Sequence, residues 1–213
     1  MRAEDLRKRL RGLYLITPEC ADTGRLLALI RSALEARPAL IQYRSKLADE
    51  SLRYAQAQAV SGLCREAGVA LIINDSIELA LAVEADGVHL GRDDGDARSA
   101  RERLGDDRII GVSCYDEWSR ASAAVAAGAD YVAFGAVFGS STKPEAVCAP
   151  LTLVSRAARE LGVPVAAIGG ITLENAATVR AAGADLVCVI SDVFGAADPA
   201  QRAGAFVRML DAT

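Results

Sequence analysis

Histidine is nearly missing: the chain of 213 residues holds one, His89. With no second imidazole and no Ser-His-Asp grouping, a histidine metal cluster and a hydrolase triad are both excluded. The cysteines Cys20, Cys64, Cys114, Cys148 and Cys188 form no C-x-x-C pair. They indicate neither a disulfide framework nor zinc, and the three in apolar or helical surroundings read as buried reduced thiols. No apolar run approaches the roughly 20 residues that span a bilayer, so no membrane association is expected. The net charge is −4 and no basic cluster stands against it, which argues against a nucleic-acid surface and requires any anion binding to be local. The opening MRAEDLRKRLRG mixes both charge signs and leads only into the short LYLIT. That is the pattern of neither a signal nor a transit peptide, and a cytoplasmic location is expected. G-x-G-x-x-G after the first strand is also absent, which counts against an open doubly wound sheet.

What is present is a regular alternation. Apolar, strand-like runs end at Thr17, Tyr43, Ile73, Leu90, Val112, Phe134, Ile168 and Ile190. Helical patterns fill the gaps at Gly24–Ala36, Asp49–Ala67, Ile77–Val83, Ala97–Leu104, Glu117–Ala127, Leu151–Leu161 and Asn175–Ala182, and a last one runs from about Pro199 to Leu210. The stretches AVEADGV, AAGADYV and AAGADLV repeat one helix-end, turn and strand-start. Strict β/α alternation means a parallel sheet, and eight units predict a single-domain (β/α)8 TIM barrel over residues 1–213.

In a barrel, function collects where strands end, and there the polar residues gather. The unit from Val163 to Gly195 ends its two strands in Gly169-Gly170 and Ile190-Ser191, with Thr172 as the expected cap of the intervening helix. Exposed N–H groups, absent side chains and helix dipoles at such turns suit a phosphate. Other strands exit into Gln42, Arg44 and Lys46, into Asn74-Asp75, into Asp93-Asp94, into Ser113, and into the Gly139–Lys143 loop, a candidate lid. Asp75 with Asp93 or Asp94 suits Mg2+, and Lys46 and Lys143 suit the phosphate oxygens that the metal leaves free. Taken singly, Asp75 equally suits a helix N-cap. His89 is expected to pack inside the barrel.

These residues carry a resemblance. Q-x-R-x-K at Gln42 to Lys46, LIINDSIELALAVEADGVHLG from Leu71, GVS at Gly111, DYVAFGAVFGSSTKP from Asp130, VAAIGGITLENA and CVISDVFGAADP match the thiamine-phosphate synthase family over nearly the full length. The resemblance implies a TIM-barrel transferase acting on small phosphorylated substrates. It would join a hydroxymethylpyrimidine pyrophosphate to a hydroxyethylthiazole phosphate, making thiamine phosphate and releasing pyrophosphate. It further implies that Gln42, Arg44, Lys46, Asn74, Ser113 and Lys143 bind the pyrimidine substrate, with Lys46, Ser113 and Lys143 assisting its leaving group. Asp75 and Asp94 would hold Mg2+, and Ser140, Thr142, Gly170, Ile190 and Ser191 the thiazole phosphate. Three departures from the pattern stand out: Arg92 replaces Gln, Gly139-Ser140 replaces Pro-Thr, and Tyr115 stands where many relatives carry His. A thiazole tautomerase of the same superfamily and a non-catalytic phosphate sensor are the alternatives. The sequence leaves monomer and homodimer open.

Overall fold

The structure, a computed structural model, describes residues 8, 10–46, 49–139 and 148–212. Eight short strands form the frame: β1 Gly12–Ile16, β2 Leu40–Tyr43, β3 Ala70–Asn74, β4 Gly87–Leu90, β5 Ile109–Tyr115, β6 Tyr131–Gly135, β7 Val165–Ile168 and β8 Leu186–Val189. Each pairs in parallel with the next in sequence, and β8 returns to β1 with Gly12 opposite Leu186, so the barrel is closed. The open doubly wound alternative is thereby excluded.

Between the strands lie α1 Thr23–Leu34, α2 Glu50–Ala67, α3 Ile77–Ala82, α4 Ala97–Leu104, α5 Trp118–Ala126, α6 Leu151–Glu160 and α7 Ala176–Ala181, followed after β8 by α8 Ser191–Phe194 and α9 Pro199–Asp211. Their starts are fixed by short polar caps. Asp22, Asp49, Ser76, Asp96 and Asp198 each accept a hydrogen bond from an orphan N–H of the first turn, and Pro199 at the first position of α9 loses no bond there. Gly68, at φ 67°, ends α2 in the left-handed region that a side chain would disfavour.

The strand alternation separates two cores. Outward residues such as Leu13, Ile41, Leu71, Val88, Ile110, Val132, Val165 and Val187 pack against the helices, while Tyr14, Leu40, Ile72, Ile109, Tyr131, Ala166, Leu186 and Cys188 fill the barrel interior. Truncating one of the buried leucines or isoleucines to alanine would cost about 2–5 kcal/mol, because neither layer can collapse onto the gap. The inward phase of β2, β4 and β5 continues to Gln42, His89 and Ser113, so the same alternation that builds the core delivers polar groups to its upper end.

Three local expectations are corrected. Strand β5 runs past Val112 to Tyr115, with a register shift between Ser113 and Tyr115 against β6. Ser76, not Asp75, caps α3 through its hydroxyl, which accepts from the amide of Leu79. Thr172 does not start α7: its amide donates to Asn175, and the helix begins at Ala176. The helix α8, one turn starting at Ser191, follows β8 directly. Cys64, Cys114 and Cys188 are buried, and burial pushes the Cys64 and Cys114 thiols up to about 12, so both stay protonated. Among the described residues no helix is long and apolar enough to cross a membrane.

Candidate active site

Asp75 follows the last residue of β3 with φ 67°, a left-handed conformation that costs a non-glycine residue roughly 1 kcal/mol and is typical of functional turns. Its amide donates to the His89 carbonyl at 2.8 Å, prolonging the β3/β4 ladder by one rung. From the β4 exit, Asp94 folds back so that its Oδ2 accepts from the Gly91 amide at 2.9 Å. The two carboxylates converge on Gly91, where a Cβ would lie 2.7 Å from Asp94 Oδ2 and 3.8 Å from Asp75 Oδ1. Asp75 is exposed to solvent, yet its carboxyl is pushed up to about 6. The causes are partial burial and then the hydrogen bond and like charge of Asp94, while Arg44 and Lys46 pull the other way.

Arg44 and Lys46 leave β2 on the same rim. Glu19, from the loop after β1, accepts from the Lys46 amide at 2.7 Å and pairs with Arg44 at 3.6 Å. Asn74, the last residue of β3, lies half-buried beside them. Two carboxylates held together at a cost, with cations in electrostatic reach, are a donor set that fits a hard divalent cation sharing its shell with a substrate phosphate. No group of three or more metal-ligating side chains exists among the described residues, so such a cation would take its other ligands from substrate and water.

Beneath the rim a polar line crosses the barrel interior. Gln42 Nε2 donates to the Tyr14 hydroxyl at 2.6 Å, Tyr14 and Tyr131 hydroxyls lie 2.8 Å apart, Tyr131 is 2.9 Å from His89 Nδ1, and His89 Nε2 is 2.8 Å from Ser113 Oγ. Since Tyr14 accepts from Gln42, its own proton goes to Tyr131. Tyr131 then donates to Nδ1, leaving Nε2–H to donate to Ser113 and the serine proton directed elsewhere. Burial lowers His89 to about 4 against a weak upward pull from Asp94, and it raises both tyrosines, so the line is neutral. Gly111 makes room for it: any Cβ there would collide with the Tyr131 ring.

Opposite, Gly170 at φ 61° turns the chain after β7, and Ile190-Ser191 lead from β8 into α8. A Cβ on Gly170 would lie 2.6 Å from the Gly139 carbonyl, so the missing side chain also admits the loop after β6. Asp192 braces the two exits. Its Oδ2 accepts from the Leu173 amide at 3.1 Å, and Arg202 of α9 grips both its oxygens at 2.8 and 2.9 Å while reaching Glu174 at 2.9 Å.

The structure thus gathers Gln42, Arg44, Lys46, Asn74, Asp75, Asp94 and Ser113 around one side of the barrel mouth and Gly170, Ile190 and Ser191 on the other. Gln42 lies lower than a rim ligand, 2 % exposed, with its amide nitrogen committed to Tyr14. Ser140, Thr142 and Lys143 lie outside the described residues. Arg92 turns to Glu117, forming an ion pair, and stacks 4.7 Å from the Tyr115 ring centroid, so a partner outside the carboxylate pair engages its charge. Sequence reasoning missed Glu19, Tyr14, Tyr131, Asp192 and Arg202. The two tyrosines did leave a signal, since each is a polar-tipped residue on the inward phase of its strand.

A (β/α)8 barrel with a carboxylate pair, cations and glycine turns at the C-terminal ends of its strands has the architecture of a TIM-barrel enzyme. The comparisons narrow the class. The sequence model described as thiamine monophosphate synthase matches residues 13–193. The thiamine-phosphate synthase of Aromatoleum aromaticum is 64% identical over 204 residues, covering 96% of this chain and 98% of that one, and the one from an Azoarcus species is 64% identical over 199 residues, covering 93% and 97%. Among solved structures, the thiamine phosphate pyrophosphorylase of Pyrococcus furiosus superposes with a TM-score of 0.85 at 33% identity, covering 97% of this chain and 98% of that one. The chain belongs to the thiamine monophosphate synthase family, and it is an enzyme of the transferase type.

Proposed function

We propose that this chain joins 4-amino-5-hydroxymethyl-2-methylpyrimidine pyrophosphate to 4-methyl-5-(2-phosphoethyl)thiazole in an Mg2+-assisted dissociative substitution. The products are thiamine phosphate and pyrophosphate. The observation that carries this reading is the Asp75–Asp94 pair converging on Gly91 within reach of Arg44 and Lys46, because a polyanion with a shared cation is what neutralises all four groups together. When bound there, Mg2+ neutralises charge developing on the departing oxygens.

The residues then divide the work. Arg44 and Lys46 bind pyrophosphate oxygens, Ser113 donates its free hydroxyl proton to one of them, and Asn74 and Gln42 position the pyrimidine, as Lys143 from the following loop does for the leaving group. The exocyclic C–O bond breaks with its electron pair leaving on pyrophosphate, and the aminopyrimidine ring spreads the resulting positive charge. The thiazole nitrogen forms the new C–N bond with its own lone pair, held by its phosphate at Gly170, Ile190 and Ser191 with Ser140 and Thr142. No proton is removed from carbon, which agrees with a lone histidine that is buried and neutral at physiological pH. A tautomerase would need a proton-transferring group where Tyr115 stands.

The purified chain given both substrates and Mg2+ should form thiamine phosphate. Asp75→Asn, which keeps a side chain that tolerates the left-handed turn, should melt no earlier than wild type yet lose product at least about a hundredfold. Product formation by the variant at the wild-type rate would remove the carboxylate pair from the reaction.

A further inference from the structure

The ladder between β4 and β5 ends with the pair Leu90 and Val112. The next residues, Gly91 and Ser113, are those whose groups point into the site, and their carbonyls are taken by a single side chain from outside it. Arg120, in the first turn of α5, donates from Nε to the Ser113 carbonyl at 2.7 Å and from Nη2 to the Gly91 carbonyl at 2.7 Å. The guanidinium thus replaces the missing rung. On its other side Ser113 still pairs with Ala133 of β6, and the register shifts only beyond it, before Tyr115.

Each peptide that Arg120 holds carries a site atom. The Gly91 amide holds Asp94 Oδ2 at 2.9 Å, and Ser113 Oγ meets His89 Nε2 at 2.8 Å. We propose that Arg120 is a positioning residue that sets the separation between the Asp94 carboxylate and the Ser113 hydroxyl, tying the metal half of the site to its pyrophosphate-donor half. It touches neither the carboxylate nor the hydroxyl itself. A planar fork with two donors at fixed spacing can hold two carbonyls at once, whereas a lysine ammonium on a flexible stem supplies the charge without the spacing. The inference rests on the metal and pyrophosphate reading of Asp94 and Ser113.

The test compares wild type, Arg120→Lys and Arg120→Gln by calorimetry with inorganic pyrophosphate, with and without Mg2+, alongside steady-state kinetics and thermal melts. Both variants should bind Mg2+–pyrophosphate about tenfold more weakly than wild type and lose a similar factor in kcat/KM for the pyrimidine substrate. KM for the thiazole phosphate should move less than about twofold, since its cup lies across the barrel. Full recovery in Arg120→Lys would overturn the proposal, because charge alone would then suffice. So would equal losses toward both substrates together with a lowered melting temperature, the mark of a merely structural residue. Wild-type binding of pyrophosphate that ignores Mg2+ would instead overturn the functional reading beneath it, and this inference along with it.

Discussion

His89 illustrates how one buried side chain can be read twice. Its inward place in β4 argues for packing, and it is packed, yet both its nitrogens are engaged in a line that ends on Ser113. The folded chain keeps this imidazole neutral down to about pH 4, whereas an unfolded one protonates near 6.5. The folded value is the lower, so the contribution to stability is whole above about pH 6.5 and is lost as pH falls toward 4, by roughly 3 kcal/mol across the window. Urea unfolding of His89→Gln should show a correspondingly flatter stability profile between those limits; an unchanged slope would mean that the imidazole is not held neutral by burial. Asp75 runs in the opposite sense. In the proposed Mg2+ site its raised value would set a proton against the metal, so Mg2+ affinity measured by calorimetry should fall as pH drops through about 6. Asp75, Asp94 and Ser113 were legible in the sequence because small sets of polar residues at strand exits stand out against apolar runs. Arg120 was not legible: an arginine in the first turn of an amphipathic helix looks like solvent-facing charge until the ends of two strands are seen to lack a partner.

At the scale of the elements, strand and helix order followed from periodicity, while their ends followed from side-chain chemistry that periodicity does not contain. The sequence offers Asp75 as a cap of α3, and the left-handed turn at Asp75 gives the cap to Ser76 instead. The extension of β5 to Tyr115 depends on a register shift that only the neighbouring strand reveals. The one turn of α8 was too short for a periodic signal, though it positions Asp192 to brace the cup. Asp192 and Arg202, 10 residues apart, join the exits of β7 and β8 through Leu173 and Glu174, and Arg202 and a hydrogen bond from Thr172 hold Glu174 at about 2, with the Thr172 bond the larger cause. Asp192→Ala should cost about 1–3 kcal/mol of stability by leaving the half-buried Arg202 without its main partner. It should also raise KM for the thiazole phosphate about tenfold with little change in that for the pyrimidine substrate. Equal shifts in both would mean that the brace serves the whole barrel and not the cup.

For the whole molecule, closure of eight parallel strands places every exit loop on one rim, which brings residues as far apart in sequence as Gln42 and Ser191 to one end of the barrel. The alternation that made the fold legible also made the site's location legible. The interior line from Gln42 to Ser113 stayed hidden because it needs the barrel's diameter: five residues on five strands touch only after the sheet has closed. The division of the rim into a carboxylate–cation half and a glycine-turn half is the central claim, and it calls for two phosphorylated substrates bound side by side. The most direct measurement quantifies thiamine phosphate and pyrophosphate together, from the purified chain supplied with both substrates and Mg2+. Equal amounts of the two products, both abolished by Asp75→Asn, are expected. Pyrophosphate released without thiamine phosphate, or no product from a chain that is folded and binds both substrates, would contradict it.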